Sequence, residues 1–459
     1  TAMKILEHFG MKGVELLRES PFRLCEVPEF GFKRVDDIVQ KSGGDLHDPM
    51  RVRGALFFAV EESRSKDGHL YIEIGQMIRT ALKLLNEKIP SPDDHLKQDA
   101  VERELETMIH LNVVVSSNGN IYLPHVYKQE CETALKAVQM AMEVPPPVDL
   151  EPVMEQVKGR LGITLSQRQA EGVEMAFRHN LSIITGGPGT GKSTILRAVV
   201  EAYRLLYPAD KIALAAPTGK ASRRMAETTG VEDAQTLHSL LRLYGDEGGK
   251  KEKQPLDAGL LIVDETSMVD MWLAHQLFSR LTPRTKVLLV GDADQLESVG
   301  AGNVFHELMA SGVIPVTVLD QIFRQAQDSR IAYNAKFINE GNSDLYYGPD
   351  FSFIPAATQE ETAETICRIY RKEAERVGVQ HLQILSPYRT DGEASSQNLN
   401  AVIRDEINPE MEGKPEMIYG GKVFRLRDRV IQLKNNYNMV IYDRQGHILG
   451  KGVFNGDVG

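Results

Sequence analysis

Cysteine is scarce. Cys25, Cys131 and Cys367 are the only three in 459 residues, far apart and with no Cys-x-x-Cys pair. This spacing excludes a disulfide scaffold and makes a reducing cytoplasm the expected setting. No run of 18 apolar residues exists, so no membrane-spanning helix is expected. Positive charge is not in excess either: 53 Lys and Arg stand against 64 Asp and Glu, a formal net charge of −11. That balance speaks against holding nucleic acid by bulk charge, although a local basic face can sit on an acidic chain. What is left, 42% hydrophobic and 25% charged residues, is an ordinary globular composition. At ~150 residues per domain, the length accommodates roughly three domains.

The strongest local signal lies at residues 181–194. Leu181, Ser182, Ile183 and Ile184 read as a short buried strand, residues 193–206 as a helix, and Gly186-x-x-x-x-Gly191-Lys192-Ser193 lies between them. A glycine-rich turn here lets backbone N–H groups fold around a phosphate, and the helix N-terminus adds partial positive charge. Gly187, Pro188, Gly189, Thr190, Gly191, Lys192, Ser193 and Thr194 therefore read as a nucleotide cradle. Lys192 reaches the β- and γ-phosphates, and the Ser193 hydroxyl is a ligand for Mg²⁺.

Around this stretch the chain divides by pattern. Residues 1–45 read as short helices, with Leu24-Cys25-Glu26-Val27-Pro28-Glu29-Phe30-Gly31-Phe32-Lys33 resembling the turn of a helix–hairpin–helix. Glu29 stands where that motif generally carries its first glycine, and a carboxylate there would repel a DNA phosphate; contact with DNA and a purely structural role both remain open. Residues 46–147 read as helices over 52–63, 71–85 and 99–111, then a hairpin turning at Asn118-Gly119, a winged-helix-like arrangement. Pro145-Pro146-Pro147 marks a linker. From 148 onward strands alternate with helices, which predicts a parallel α/β sheet with strands at 181–184, 212–216, 260–263, 287–290 and 316–319. A second α/β unit is expected from helices at 360–376 and 393–407 with strands at 382–386 and 429–433. Thr1 is no initiator and the last residues read as half a hairpin, so the chain is expected to be part of a longer polypeptide.

Two further strands end in polar residues. Leu260-Leu261-Ile262-Val263 runs into Asp264 and Glu265, placing one carboxylate for Mg²⁺ and the other to orient or deprotonate water. Leu288-Leu289-Val290 runs into Gly291-Asp292-Ala293-Asp294-Gln295, where Gln295 can bond a γ-phosphate and report its loss.

These segments, with Ala216-Pro217-Thr218-Gly219-Lys220, Thr236-Leu237-His238 and Phe323-Arg324-Gln325, follow the order of the superfamily 1 helicase motifs. The chain resembles the RecD-like 5′→3′ DNA helicases, in their long stand-alone bacterial form. The resemblance implies two RecA-like P-loop domains, at 148–322 and, incomplete, at 323–459, preceded by the helix–hairpin–helix and winged-helix-like regions. It implies ATP and Mg²⁺ as cofactors, with Ser193 and Asp264 at the metal and Lys192, Asp264, Glu265, Gln295 and Arg324 in catalysis. Gln169 would read the adenine edge, Phe323 would stack on the base, and Arg324 would reach the γ-phosphate. Pro217, Thr218, Gly219, Thr236, His238, Pro387, Asn435 and Tyr437 would hold single-stranded DNA, helped by the charge of Lys220, Arg223 and Arg224. His238 as a core residue, and Tyr388 and Tyr437 as packing aromatics, stay open beside that reading. The polar stretch 243–258 would be a β-hairpin pin at the junction of single strand and duplex, and an SH3-like insertion would begin near 421. The implied activity is DNA unwinding in repair or recombination by a monomer, with no membrane partner. An RNA helicase and an ATP-gated scaffold remain the alternatives. The family's last motifs would fall beyond Gly459, so weak ATP turnover is expected of this stretch alone.

Overall fold

The computed structural model describes residues 20–27, 31–243, 254–321, 329–433, 436–443, 445–453 and 456–459, with residues 6, 9, 10, 13, 15 and 17. The chain forms two units, one of residues Thr1–Pro217 and Ala221–Gln321, the other of Thr218–Lys220 and Ile322–Gly459.

The first unit begins with helices α1 (Phe32–Lys41) and α2 (Pro49–Lys66), strand β1 (Tyr71–Glu73), helices α3 (Ile74–Asn86) and α4 (Gln98–His110), strands β2 (Val115–Ser117) and β3 (Asn120–Tyr122), and helix α5 (Pro124–Met142). The three strands form an antiparallel sheet in the order β1-β3-β2. Asn118 and Gly119 both take positive φ, +51° and +80°, as a two-residue hairpin turn demands. The helix expected from residue 71 starts only at Ile74. Tyr71–Glu73 instead pair with Tyr122, Ile121 and Asn120, where Ile72 is buried and the Tyr71 ring lies 5.3 Å from that of Tyr122. Aromatic pairing across strands outweighs helix propensity there. Beneath, the buried Arg51 guanidinium makes two bonds to Asp36, at 2.6 and 3.1 Å, and donates to the Leu46 and Leu85 carbonyls, both at 2.9 Å. One side chain thus joins α1, α2, the turn between them and the end of α3. Residues 143–150 form neither helix nor strand, matching the proline linker.

Next come helices α6 (Glu151–Leu161) and α7 (Gln167–Arg178), then β4 (Leu181–Gly186), α8 (Lys192–Leu206), β5 (Ile212–Ala216), α9 (Gly219–Thr229), β6 (Gln235–Thr236), α10 (Leu237–Leu240), β7 (Leu260–Val263), α11 (Met271–Phe278), β8 (Lys286–Gly291), α12 (Val304–Ala310) and β9 (Val316–Leu319). The six strands form one parallel sheet in the order β6-β5-β7-β8-β4-β9. Its residues alternate between two cores. Leu181, Ile183, Leu261, Val263, Val287 and Leu289 face one, while Ile184, Leu260, Ile262, Leu288 and Val290 face the other. A sheet buried on both faces needs apolar residues at every position, hence the unbroken runs in the sequence. All five expected strands are present. Gln235–Thr236 was not expected; two residues carry no periodicity.

The second unit holds helices α13 (Arg330–Asn339), α14 (Gln359–Val377) and α15 (Ser396–Ile407), and two antiparallel ribbons, β10 (Glu416–Tyr419) with β11 (Lys422–Arg425) and β12 (Asn436–Tyr442) with β13 (Ile448–Val453). The expected strands at 382–386 and 429–433 do not form: of these residues only Ile431 makes a bridge, to Val458. Leu385 and Leu433 are exposed, and no parallel neighbour among the described residues completes a ladder. The α/β class holds for the chain, but the second unit contributes helices and ribbons rather than a second parallel sheet among its described residues.

Candidate functional site

Parallel strands all deliver their C-terminal loops to one edge of the sheet. Because β8 lies between β7 and β4, the glycine loop after β4, the Asp264-Glu265 turn after β7 and the Asp292–Gln295 stretch after β8 leave adjacent strands. At ~4.8 Å per strand, the first two start about 10 Å apart, the width of a phosphate chain with its cation.

The glycine loop is built for close approach. Gly189 and Gly191 take φ of +79° and +84°, and Gly191 caps the N-terminus of α8. A Cβ on Gly186 would lie 2.7 Å from the Leu319 carbonyl oxygen and 2.9 Å from Thr190 Oγ1, so only glycine fits. Thr190 Oγ1 donates to the Gly187 carbonyl at 2.8 Å, and the Lys192 ammonium donates to the carbonyls of Gly186 and Gly187. The ammonium is thereby folded over the cradle that a phosphate would enter. Lys192, Ser193, Leu196, Arg224, Met225, Thr228, Asp264 and Glu265 line one small cleft.

Electrostatics identify the same cleft. Burial raises the pKa of Asp264, against the bond from the Glu265 N–H (2.9 Å) and the charges of Lys192 and Arg224. Glu265 is raised too, first by burial, then by the neighbouring Asp264 carboxylate. Two carboxylates held at a cost beside a lysine fit a site for a metal-bound polyphosphate, whose cation relieves their repulsion. Glu265 has a φ of +51°, the left-handed region, which turns its side chain out of line with β7. Asp292 is buried; its carboxylate accepts from the Gln295 amide at 3.4 Å, while Thr185 Oγ1 accepts from the Ala293 N–H at 3.0 Å.

Other expected site residues fall as follows. Gln169 is buried within a capping box: its side-chain oxygen accepts from the Ser166 N–H at 3.0 Å, and its amide lies 3.5 Å from the Thr190 carbonyl oxygen. It touches the glycine loop while its acceptor is already engaged. Thr236 caps α10 through the Ser239 N–H, and His238 is half-buried with its ring 6.1 Å from that of Trp272. Pro217 follows β5, and Thr218 and Gly219 come next, assigned to the other unit. Pro387 is exposed in an irregular loop. Phe323, Arg324, Asn435, Glu29 and most of the 243–258 stretch lie outside the described residues, as does the Tyr437 side chain. Arg224, read from sequence as charge beside a nucleic-acid strand, lines the cleft with Lys192, Asp264 and Glu265. Trp272, the chain's one tryptophan, drew no attention in sequence, although its 43% exposure beside His238 marks it out.

Family profiles match three stretches: an "ATP-dependent RecD2 DNA helicase HHH domain" at 1–71, an "AAA domain" at 169–301, and an "ATP-dependent RecD-like DNA helicase SH3 domain" at 399–459. The ATP-dependent RecD2 DNA helicase of Deinococcus radiodurans is 31% identical over 451 residues, 96% of this chain and 60% of that protein. Along most of its length the chain is therefore similar to RecD-like helicases. The RecD subunit of the RecBCD enzyme of Mycobacterium tuberculosis is 40% identical over 171 residues, 33% of this chain and 30% of the subunit. A solved structure of Pif1 helicase from Candida albicans matches with 21% identity and a TM-score of 0.33, over 62% of this chain and 59% of that one. This RecD-like chain therefore spans less than two-thirds of the length of these curated relatives. The SH3 match begins at 399, earlier than the boundary near 421 expected from sequence, and takes in most of α15 and both ribbons. The helix–hairpin–helix match extends past residue 45 to include α2. Among the described residues no helix is long and apolar enough to cross a membrane.

Proposed function

We propose that the chain carries the ATPase machinery of a DNA helicase that moves 5′→3′ on single-stranded DNA and opens duplex in the cytoplasm, in repair or recombination. The observation that carries this reading is the single cleft lined by Lys192, Ser193, Asp264 and Glu265. Lys192 and the N–H groups of residues 189–194 bind and orient the β- and γ-phosphates. The Ser193 hydroxyl and the Asp264 carboxylate would hold Mg²⁺, which would supply positive charge to offset that of the phosphates. Glu265 orients the attacking water and accepts its proton, helped by a pKa already raised toward neutrality. Gln295 bonds the γ-phosphate, and Arg224 adds a second positive charge at the cleft.

For the residues beyond the cleft the reading follows the family. Phe323 stacks on the base, Arg324 meets the γ-phosphate, and Gln169 lies near the adenine. Pro217, Thr218, Gly219, Thr236, His238, Pro387, Asn435 and Tyr437 hold the strand, with residues 243–258 at the junction of single strand and duplex. The test is Lys192→Ala, which is expected to abolish strand-stimulated ATP hydrolysis and unwinding while leaving strand binding near that of the parent. A variant that still unwinds refutes the mechanism. Duplexes with 5′ or 3′ tails, of DNA or RNA, decide polarity and track. Phosphate release that single strands do not stimulate would favour an ATP-gated scaffold.

A further inference from the structure

The loop that carries Gln295 stands on two footings. At its start, the Ala293 N–H donates to Thr185 of β4, the strand that leads into the glycine loop. At its end, the Gly302 N–H donates 2.9 Å to the carbonyl of Gly68, in the turn between α2 and β1 of the N-terminal helices. Between the footings Asp294, Gln295, Leu296 and Glu297 are exposed, Leu296 to 91%, as is Val299. Within the arch Gln295 is tied to Asp292 through its N–H (3.2 Å) and its amide (3.4 Å), Asn303 donates to Glu297 at 3.0 Å, and His306 bonds the Ala293 carbonyl at 3.0 Å; the ends decide where this locally bonded turn sits.

The second footing is tightly made. Gly302 is buried with φ +100°, and a Cβ there would lie 2.8 Å from Met271 Cβ and 3.1 Å from Leu70 Cδ2. Leu70 packs against both the N-terminal core and the core under the sheet. The Met271 N–H donates to the Ala301 carbonyl at 3.0 Å, and Ser298 Oγ bonds the Gly300 and Gly302 carbonyls at 2.8 and 3.0 Å. Closely packed contacts of this kind transmit displacement rather than absorb it.

We propose that Leu70 and the Gly68 carbonyl are positioning residues for Gln295, so that the N-terminal helices set the resting place of the phosphate sensor. The proposal rests on the ATPase reading of the cleft. With the Leu70–Gly302 footing loosened, the arch would be held less firmly at its far end, and Gln295, carried with it, would spend less time where a γ-phosphate oxygen arrives. Binding of ATP, which depends on the glycine loop and Lys192, would be spared. The N-terminal helices would then act on turnover from outside the sheet, and γ-phosphate loss would be felt at the α2–β1 turn.

The experiment compares the full chain with Leu70→Ala, Leu70→Val as a milder truncation, and Leu70→Met as the conservative replacement. Thermal melting shows that each is folded. Amide hydrogen exchange of residues 293–302 without nucleotide, and ATP turnover with single-stranded oligothymidylate, are then measured. Leu70→Ala is expected to exchange about tenfold faster at Gly302 and Gln295. Its kcat is expected to fall severalfold with KM for ATP within about twofold, the signature of an interaction lost after binding. Leu70→Met is expected to restore both. Unchanged exchange across 293–302 overturns the footing, whatever the activity. Faster exchange with unchanged kcat overturns the positioning role, leaving Leu70 a packing residue. A parent chain that neither binds nor hydrolyses ATP refutes the ATPase reading and the sensing role with it, while the exchange data still decide the footing.

Discussion

Replacing Arg51 by alanine tests how the N-terminal helices are held together. The guanidinium makes two bonds to Asp36 and one each to the Leu46 and Leu85 carbonyls, with both charged side chains almost fully buried. Removing the arginine leaves Asp36 a buried carboxylate with one remaining side-chain donor, the Gln40 amide at 2.8 Å. Breaking one partner of a buried ion pair costs about 3–5 kcal/mol, and two carbonyls also lose a donor. Water can replace the bond at the partly buried Leu46 site, so the lower end, about 3 kcal/mol, is the expectation. With an m-value of about 2 kcal/mol/M in urea, the unfolding midpoint of this segment falls by roughly 1.5 M. The assay is urea unfolding followed by hydrogen exchange in α1, α2 and α3. The double variant Arg51→Met with Asp36→Leu should recover more than half of the loss, because the stranded charge is gone. An alanine variant that loses under about 1 kcal/mol, or a double variant as unstable as the single one, refutes the reasoning.

Three further outcomes follow from the electrostatics and from Trp272. Lys286 is buried with no carboxylate partner among the described residues, donates to the Phe177 carbonyl at 3.0 Å, and has its pKa pushed down to about 8 by desolvation. Between that value and the ordinary lysine range the unfolded chain binds the extra proton, so stability should rise with pH there; Lys286→Met should flatten this rise in thermal melts. Glu265 must be ionised to take a proton, and its pKa is raised by burial and by Asp264, so kcat/KM for ATP should fall on the acid side at a pH above the usual carboxylate range. Activity in Glu265→Gln with the same acid limb would refute that assignment. Trp272, as the one tryptophan, reports on its own surroundings beside His238: oligothymidylate should change its emission and an abasic strand should not, whereas unchanged emission at saturation refutes base stacking there.

The parallel sheet and its phosphate loop were legible because each needs particular residues in particular places. Strands buried on both faces need apolar runs, and the loop needs glycine at Gly186, Gly189 and Gly191. The carboxylates at the end of β7 followed from the same logic. Tyr71–Glu73 was misread as helix because its partner strand is about 50 residues away, and local periodicity cannot see across that gap. The segment at 382–386 looks like a strand but has no strand partner among the described residues, and 429–433 pairs only through a short bridge with residues 456–459 rather than in a parallel ladder. That Arg224 also lines the cleft was not read in sequence, because a run of basic residues on α9 does not say which of them faces it. The Leu70–Gly302 contact left no trace in the sequence, since it joins two turns more than 200 residues apart.

The left-handed backbone at Glu265 separates what its carboxylate does from how it is presented. Asparagine tolerates that conformation far better than a β-branched residue does, so Glu265→Asn should keep the turn and lose only chemistry, whereas Glu265→Val would have to rebuild the peptide chain at the end of β7. Variation at this one position is therefore constrained by stereochemistry as well as by catalysis. An enzyme that discarded hydrolysis would still be expected to hold a small polar residue or glycine there.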